Sequence, residues 1–228
     1  MRAPISVVIP TLNAATALPG TAAALMEGVE AGLIREVIVV DGGSTDHTAE
    51  VAEELGARFL SVPASRGGQL RAGAAAARGD HLLVLHADTQ LAPGWSEAAT
   101  AHLSRATPGA GYFRLAFDSG GLPARLVAGW ANLRSRLFGL PYGDQGLLLP
   151  ATLYAEVGGY PDQPLMEDVA IARALKGRLV ALDGVAVTSA AKYRAQGWMR
   201  RGGRNLWTLA RYMGGVSPER LARDYTSN

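Results

Sequence analysis

The chain has 228 residues, 48% of them apolar, with 22 Lys and Arg against 20 Asp and Glu and a net charge of +2. This suits one sizeable globular domain, and a charge so nearly balanced gives no sign of a general nucleic-acid binder. There are no cysteines, which excludes a disulfide framework and thiolate zinc sites.

Met1-Arg2-Ala3-Pro4 leads straight into a strand-like segment with no separate apolar signal region, and no run approaches the roughly 20 apolar residues of a bilayer span; a cytoplasmic protein is expected. Ile5–Pro10 reads as a short β-branched strand and Ala14–Gly32 as a helix. Glu36–Val40 is the next strand, and Ser44-Thr45-Asp46 is placed to cap a helix that ends near Leu55-Gly56. Arg58–Val62 is a weaker strand, Gly68–Arg78 an Ala-rich helix, and His81–Leu85 a fourth strand; Pro93-Gly94-Trp95 opens another helix. Strands spaced by helices of this length predict an α/β fold, with βαβ units in a mostly parallel sheet.

After Pro108 the pattern changes. Gly111–Phe117 alternates like an antiparallel or edge strand. Leu122–Phe138 reads as a helix, Gly146–Leu149 as a short apolar strand, and Glu167–Lys176 as a helix. Arg178–Leu182 and Val185–Thr188 read as two strands, and Gln196–Met213 as a helix. No repeat, low-complexity tract or linker divides the chain. One domain over residues 1–228 is expected, with a first half at 1–107, a second at 108–190 and a basic amphipathic end at 191–228.

The chemistry gathers where apolar runs end in polar residues. Leu82–Leu85 runs into His86-Ala87-Asp88, Asp41 follows Glu36–Val40, Asp46 follows five residues later, and Glu167-Asp168 opens a helix. Open α/β sheets bind ligands beyond their strand C-termini, so carboxylates gathered around a divalent ion and a diphosphate fit this arrangement. Separate solvated loop acids are the plain alternative. Pro10-Thr11-Leu12-Asn13 lacks G-x-G-x-x-G, which removes the best evidence for nicotinamide binding. In Asp41-Gly42-Gly43-Ser44-Thr45-Asp46 the glycines allow close backbone approach and Asp41 could read a base or ribose; a Gly-rich turn capped by Ser44 or Asp46 explains the same residues. The four histidines show no H-x-x-x-H spacing, and no G-x-S-x-G elbow appears.

Ile5–Asn13 (ISVVIPTLN), Val37–Asp46 (VIVVDGGSTD), Arg66–Gly73 (RGGQLRAG), Leu85–Thr89 (LHADT) and Met166-Glu167-Asp168 occur in an order that resembles family 2 of the inverting nucleotide-sugar glycosyltransferases, whose fold is GT-A. The resemblance covers roughly residues 4–190, and the LHADT form with Gly143-Asp144-Gln145-Gly146 resembles a compact subgroup. It implies that Pro10, Thr11 and Asn13 border the nucleotide pocket and that Asp41 contacts the nucleoside. It also implies that Arg66 and Gln69 lie near the diphosphate or sugar, that His86-Ala87-Asp88 is the D-x-D segment with Asp88 the metal carboxylate, and that Asp168 is the catalytic base. The donor would be a UDP- or GDP-sugar and the ion Mn2+ or Mg2+. Two positions depart from the pattern: Gly42 stands where many relatives have a second Asp, and His86 where D-x-D has its first. Imidazole can bind Mn2+, or hydrogen-bond a ribose or phosphate.

Glycosyl transfer itself needs a leaving diphosphate neutralised by a hard cation and a carboxylate to take the acceptor's proton. With no carboxylate nucleophile the anomeric configuration inverts. Glu167 is expected to orient Asp168 or face solvent, and either acid would also suit a helix N-terminus. Asp144 and Gln145 could face the donor sugar or the acceptor, or form a polar turn. The last forty residues carry Lys192, Arg194, Arg200, Arg201, Arg204, Arg211, Arg220 and Arg223 against Glu219 and Asp224, with Trp198, Trp207 and Tyr212 among them. That pattern fits a membrane surface and a lipid acceptor, a packed helix with a solvated basic face, a homo-oligomer contact, or arginines holding diphosphate. A nucleotidyltransferase is the rival enzyme, but it needs a Gly-rich basic loop after the first strand, which Pro10–Asn13 is not. A non-catalytic nucleotide-sugar-binding protein is the other alternative.

Overall fold

The computed structural model describes residues 3–226, so Met1-Arg2 and Ser227-Asn228, at the two ends of the expected domain, lie outside the described residues. The strands are β1 (Ile5–Thr11), β2 (Ile34–Asp41), β3 (Arg58–Ser61), β4 (His81–Val84), β5 (Thr89–Leu91), β6 (Ala110–Phe117), β7 (Leu147–Pro150) and β8 (Leu179–Thr188). They form an eight-stranded sheet in the order β3-β2-β1-β4-β7-β6-β8-β5. The β3-β2-β1-β4 half is parallel, β7 runs antiparallel to both β4 and β6, β6 and β8 are parallel, and β5 closes the edge antiparallel to β8.

The helices are α1 (Leu18–Glu30), α2 (Thr48–Glu54), α3 (Arg66–Ala76), α4 (Trp95–Leu103), α5 (Leu122–Phe138), α6 (Ala151–Glu156), α7 (Glu167–Ala174), α8 (Ala191–Gln196), α9 (Trp198–Met213) and α10 (Pro218–Thr226), with a 3-10 turn at Gly143–Gln145. They cover both sheet faces, which is why the central strands are apolar on both sides. Val7, Ile9, Val39, Leu83 and Leu148 face one core with Leu18 and Leu25 of α1 and Trp95 of α4. Their neighbours Val8, Ile38, Val40, Leu82 and Leu149 face the other, with Leu70 of α3, Leu153 of α6 and Ile171 of α7. A third cluster, Met166, Val169 and Leu221 with Leu209, Tyr212 and Val216 against it, seats the C-terminal helices on α7.

Four sequence expectations are corrected. β6 is antiparallel to β7, as one reading of its alternation has it, but it is not an edge strand: it lies between β7 and β8, and the alternation comes from Arg114, an exposed residue in an otherwise largely buried strand. The two strands predicted over 178–188 are one, β8, whose pairing with β6 slips in register between Tyr112 and Arg114. The helix predicted over 196–213 is broken at Gly197, where φ is 84°. Ser44 does not cap α2: Asp46 Oδ1 accepts from the Thr48 amide at 3.1 Å, and the Ser44 hydroxyl donates to Asp41.

Candidate active site

The C-terminal ends of β1, β2 and β4 converge, and two loops are stapled there. Asn13, at φ 53°, accepts from the Thr45 amide at 2.9 Å, while its own amide donates to Ser44 Oγ at 2.7 Å. A left-handed non-glycine residue held by hydrogen bonds marks a fixed loop, and such residues gather at functional sites. Pro10 precedes it, half-buried at the end of β1. Asp41 is buried and accepts from Thr11 Oγ1 (2.9 Å), Ser44 Oγ (2.5 Å), Ser44 N (2.7 Å) and Gly43 N (2.8 Å). Burial alone would raise its pKa; the hydrogen bonds from Ser44, Thr11 and Gly43 overcome this and hold it below the ordinary value. A carboxylate has about four acceptor sites; Thr11 of β1 and the Gly43-Ser44 turn fill those of Asp41, so its side chain shapes the loop at the end of β2.

Gln69 braces the same strand ends. Its buried amide nitrogen donates to Thr11 O and Val40 O, both at 2.8 Å, bracing the ends of β1 and β2 from beneath. The amide lies so close to Gly42 that a Cβ there would stand 3.1 Å from Gln69 Oε1. A side chain at 42 would require the Gln69 amide to give by a few tenths of an ångström.

After β4, Ala87 O accepts from Thr21 Oγ1 at 2.7 Å and Asp88 O from Ser189 N at 3.2 Å, which ties the His86–Asp88 turn to α1 and to the end of β8. The second tie delivers a residue that the sequence placed only in a basic tail. Lys192 on α8 comes near His86, as does Arg66 at the start of α3. Burial, then the Arg66 and Lys192 charges, push the His86 pKa well below its usual value, so the ring, recessed but open on one side, is neutral.

His86 also packs under Gly143, where any Cβ would collide with the imidazole. The Gly143 amide donates to Asp168 Oδ2 at 3.0 Å, and Asp168 Oδ1 accepts from Val169 N at 2.7 Å. His86, the 143–145 turn and the start of α7 are thus contiguous. Met166, at φ 65°, turns the chain into α7. Glu167 is buried, with Oε1 3.7 Å from Arg66 Nε, which corrects the expectation of a solvent-facing acid. Burial and the neighbouring Asp168 charge raise it to about 8 against the pull of Arg66, so it keeps its proton at neutral pH. Arg66 is held in place because α3 docks on the 161–163 loop, with Gly67 N donating to Gln163 O at 3.1 Å and Ser65 Oγ to Asp162 at 2.6 Å.

Asp144 joins the acids together. Its Oδ1 is buried without a hydrogen-bond partner, and its pKa is pushed up to about 6 by burial and by the charges of Asp168 and Asp88, against Arg134. Carboxylates from three separate segments therefore share one region. Gln145 does not join them. Fully buried, it takes a hydrogen bond from Ser135 Oγ at 2.5 Å and donates to Phe113 O at 3.0 Å, so of the two readings, sugar or acceptor contact and polar turn, its side chain follows the turn.

Two clefts meet at the Tyr142–Asp144 segment. The smaller is lined by Tyr142, Gly143, Tyr160 and Asp168. The larger is lined by Tyr142, Asp144, Arg134, Trp130, Tyr193 and Leu206. Arg134 stacks on the Tyr142 ring at 3.4 Å, donates Nε to Leu140 O and leaves Nη2 buried without a hydrogen-bond partner, while its charge acts on Asp144. Sequence reasoning missed Arg134, Tyr142, Tyr193 and the local role of Lys192. A buried arginine in an apparently solvent-facing helix has no signature in a single sequence.

A sheet of this order with acids at its open end is the GT-A fold. The chain belongs to glycosyl transferase family 2, whose sequence model matches residues 6–145. Among solved structures it is similar to S. aureus TarS 1–349, with 16% identity over 90% of this chain and 64% of that one and a TM-score of 0.62. It is also similar to glucosyl-3-phosphoglycerate synthase from Mycobacterium tuberculosis in complex with Mn2+, UDP and glucosyl-3-phosphoglycerate, with 23% identity over 82% of this chain and 70% of that one and a TM-score of 0.55. S. aureus TarS 1–349 in complex with UDP-GlcNAc gives 17% identity over 82% of this chain and 58% of that one, at a TM-score of 0.62. The chain spans 64% of the TarS 1–349 length and 39% of a longer TarS structure. No curated protein sequence matches it.

Proposed function

We propose that the protein is an inverting glycosyltransferase that moves a sugar from a nucleoside-diphosphate sugar to an acceptor hydroxyl. The convergence on Asp144 carries this reading: Asp88 from the turn after β4 and Asp168 from α7 both act on its charge, next to the cations Arg66 and Lys192. Family membership supports it, as does the presence of UDP or UDP-sugars in solved relatives. The loops at Asn13 and Asp41 form the nucleoside end, within residues 1–107, and the Gly143 turn and Asp168 form the transfer end, within 108–190.

Arg66 and Lys192 are the groups to neutralise the diphosphate, with neutral His86 hydrogen-bonding a phosphate or ribose oxygen. Two cations beside His86 disfavour a third, so His86 is a poor metal ligand. Among the described residues no three His, Asp or Glu side chains could enclose an ion by themselves. Asp88 would hold Mn2+ or Mg2+ together with the donor's own phosphates. When bound, that ion neutralises the leaving diphosphate. At the transfer end, the acceptor oxygen attacks the anomeric carbon as the bond to the diphosphate breaks, and its proton passes to Asp168, whose carboxylate the Gly143 amide keeps aimed. Protonated Glu167 adds no charge behind it.

Asp168→Asn should abolish transfer while nucleotide binding survives, measured by product release and by calorimetry. Asp88→Ala should weaken Mn2+-dependent nucleotide affinity by about tenfold or more. A fully active Asp168→Asn enzyme removes Asp168 as the base, and release of pyrophosphate in place of nucleoside diphosphate refutes glycosyl transfer.

A further inference from the structure

Two helices present apolar stripes to solvent. On α5, Leu122, Leu126, Trp130, Leu133 and Leu137 recur at helical spacing, and each is at least 46% exposed. On α9, Met199, Leu206 and Met213 recur every seven residues, with Trp207 alongside at 65% exposed. The stripes meet, because α5 packs against α9 and both Trp130 and Leu206 line the larger cleft. An unpartnered apolar surface of this extent marks an interaction site.

Charge identifies the partner. α5 exposes Arg125 and Arg136, with Arg134 buried beneath them; α9 exposes Arg200 and carries the half-buried Arg201, Arg204 and Arg211, the last paired with Asp224 of α10, and neither helix contains an Asp or Glu. The whole chain has a net charge of only +2, so positive charge is concentrated on this pair of helices. A symmetric dimer through the same face would set arginine against arginine, with no acid on either helix to compensate. A lipid surface with anionic headgroups instead offers an apolar interior to the stripes and negative charge to the flanking arginines. We infer that the α5–α9 face docks in the plane of an anionic membrane, which sets the mouth of the Asp144 cleft at the lipid surface. Apart from that consequence, this inference is independent of the donor chemistry.

The test is flotation of the purified 228-residue chain with vesicles of phosphatidylcholine alone, or with about one third phosphatidylglycerol. Binding is expected to the anionic vesicles and to decline as salt rises. Leu126→Glu/Leu137→Glu, with both positions exposed, should lower the bound fraction about tenfold, and Arg125→Glu/Arg136→Glu should do the same with an unchanged melting temperature. Equal retention on both vesicle types, or retention on neither, overturns the inference. So does a vesicle-free dimer, seen by light scattering, that the Leu126→Glu/Leu137→Glu change dissolves.

Discussion

Gly143 is a position where the candidate site has no room for a side chain. Its amide aims Asp168, and the space where a side chain would stand is filled by the His86 ring. Gly143→Ala must therefore move either the imidazole or the backbone, and either motion changes the Asp168 carboxylate's position. We expect kcat/KM to fall about a hundredfold with nucleotide affinity within a few-fold of wild type, read from initial rates and calorimetry on one preparation. Unaltered kinetics would show that neither neighbour needs this close contact. The sequence marked candidate positions by two signals, an apolar run ending near a carboxylate at Asp41 and Asp88 and an acidic pair opening a helix at Glu167-Asp168. Their division of labour was not legible. Whether an acid faces a ligand or its own loop depends on how many donors surround it, and the donors to Asp41 come from Thr11 thirty residues away as well as from Gly43 and Ser44.

At the scale of elements, the strands that can be read are those buried on both faces. β1, β2 and β4 announce themselves as continuous Val, Ile and Leu runs because both sides are covered. β5, only Thr89–Leu91, has no periodicity to detect and exists because β8 offers it an antiparallel partner. β6 looked like an edge strand from its alternation, though neighbouring strands flank it on both sides. Trp95, which opens α4, shows how much one helix contact can carry. Its ring is fully buried against Gly28 of α1, and its indole N–H donates to Ala24 O at 3.0 Å. Gly28 leaves the gap the ring fills. Trp95→Ala should destabilise the fold by about 3–5 kcal/mol, measured by urea denaturation; a loss below about 1 kcal/mol would mean that α1 collapses into the vacancy.

At the scale of the whole molecule, placing buried acids at the open end of the sheet links the site to folding stability. Glu167, ordinarily near 4.5, is raised to about 8, first by burial and then by the Asp168 charge. A carboxyl raised in the folded state binds its proton more tightly there than in the unfolded chain. Its stabilising contribution is complete below pH 4.5 and is lost as pH rises through about 8. Asp144, raised from 3.8 to about 6, acts with the same sign in a lower window. Burial lowers His81, His86 and His102, which act oppositely: their penalty disappears as pH rises to the ordinary histidine value of 6.5. These histidines are neutral in both states above pH 7, which leaves Glu167 as the dominant raised acid between about pH 7 and 8. Stability measured by urea denaturation should therefore decline across that interval. Glu167→Gln, which keeps the volume and cannot ionise, should flatten the decline. An equal slope in the variant would place the responsible proton elsewhere.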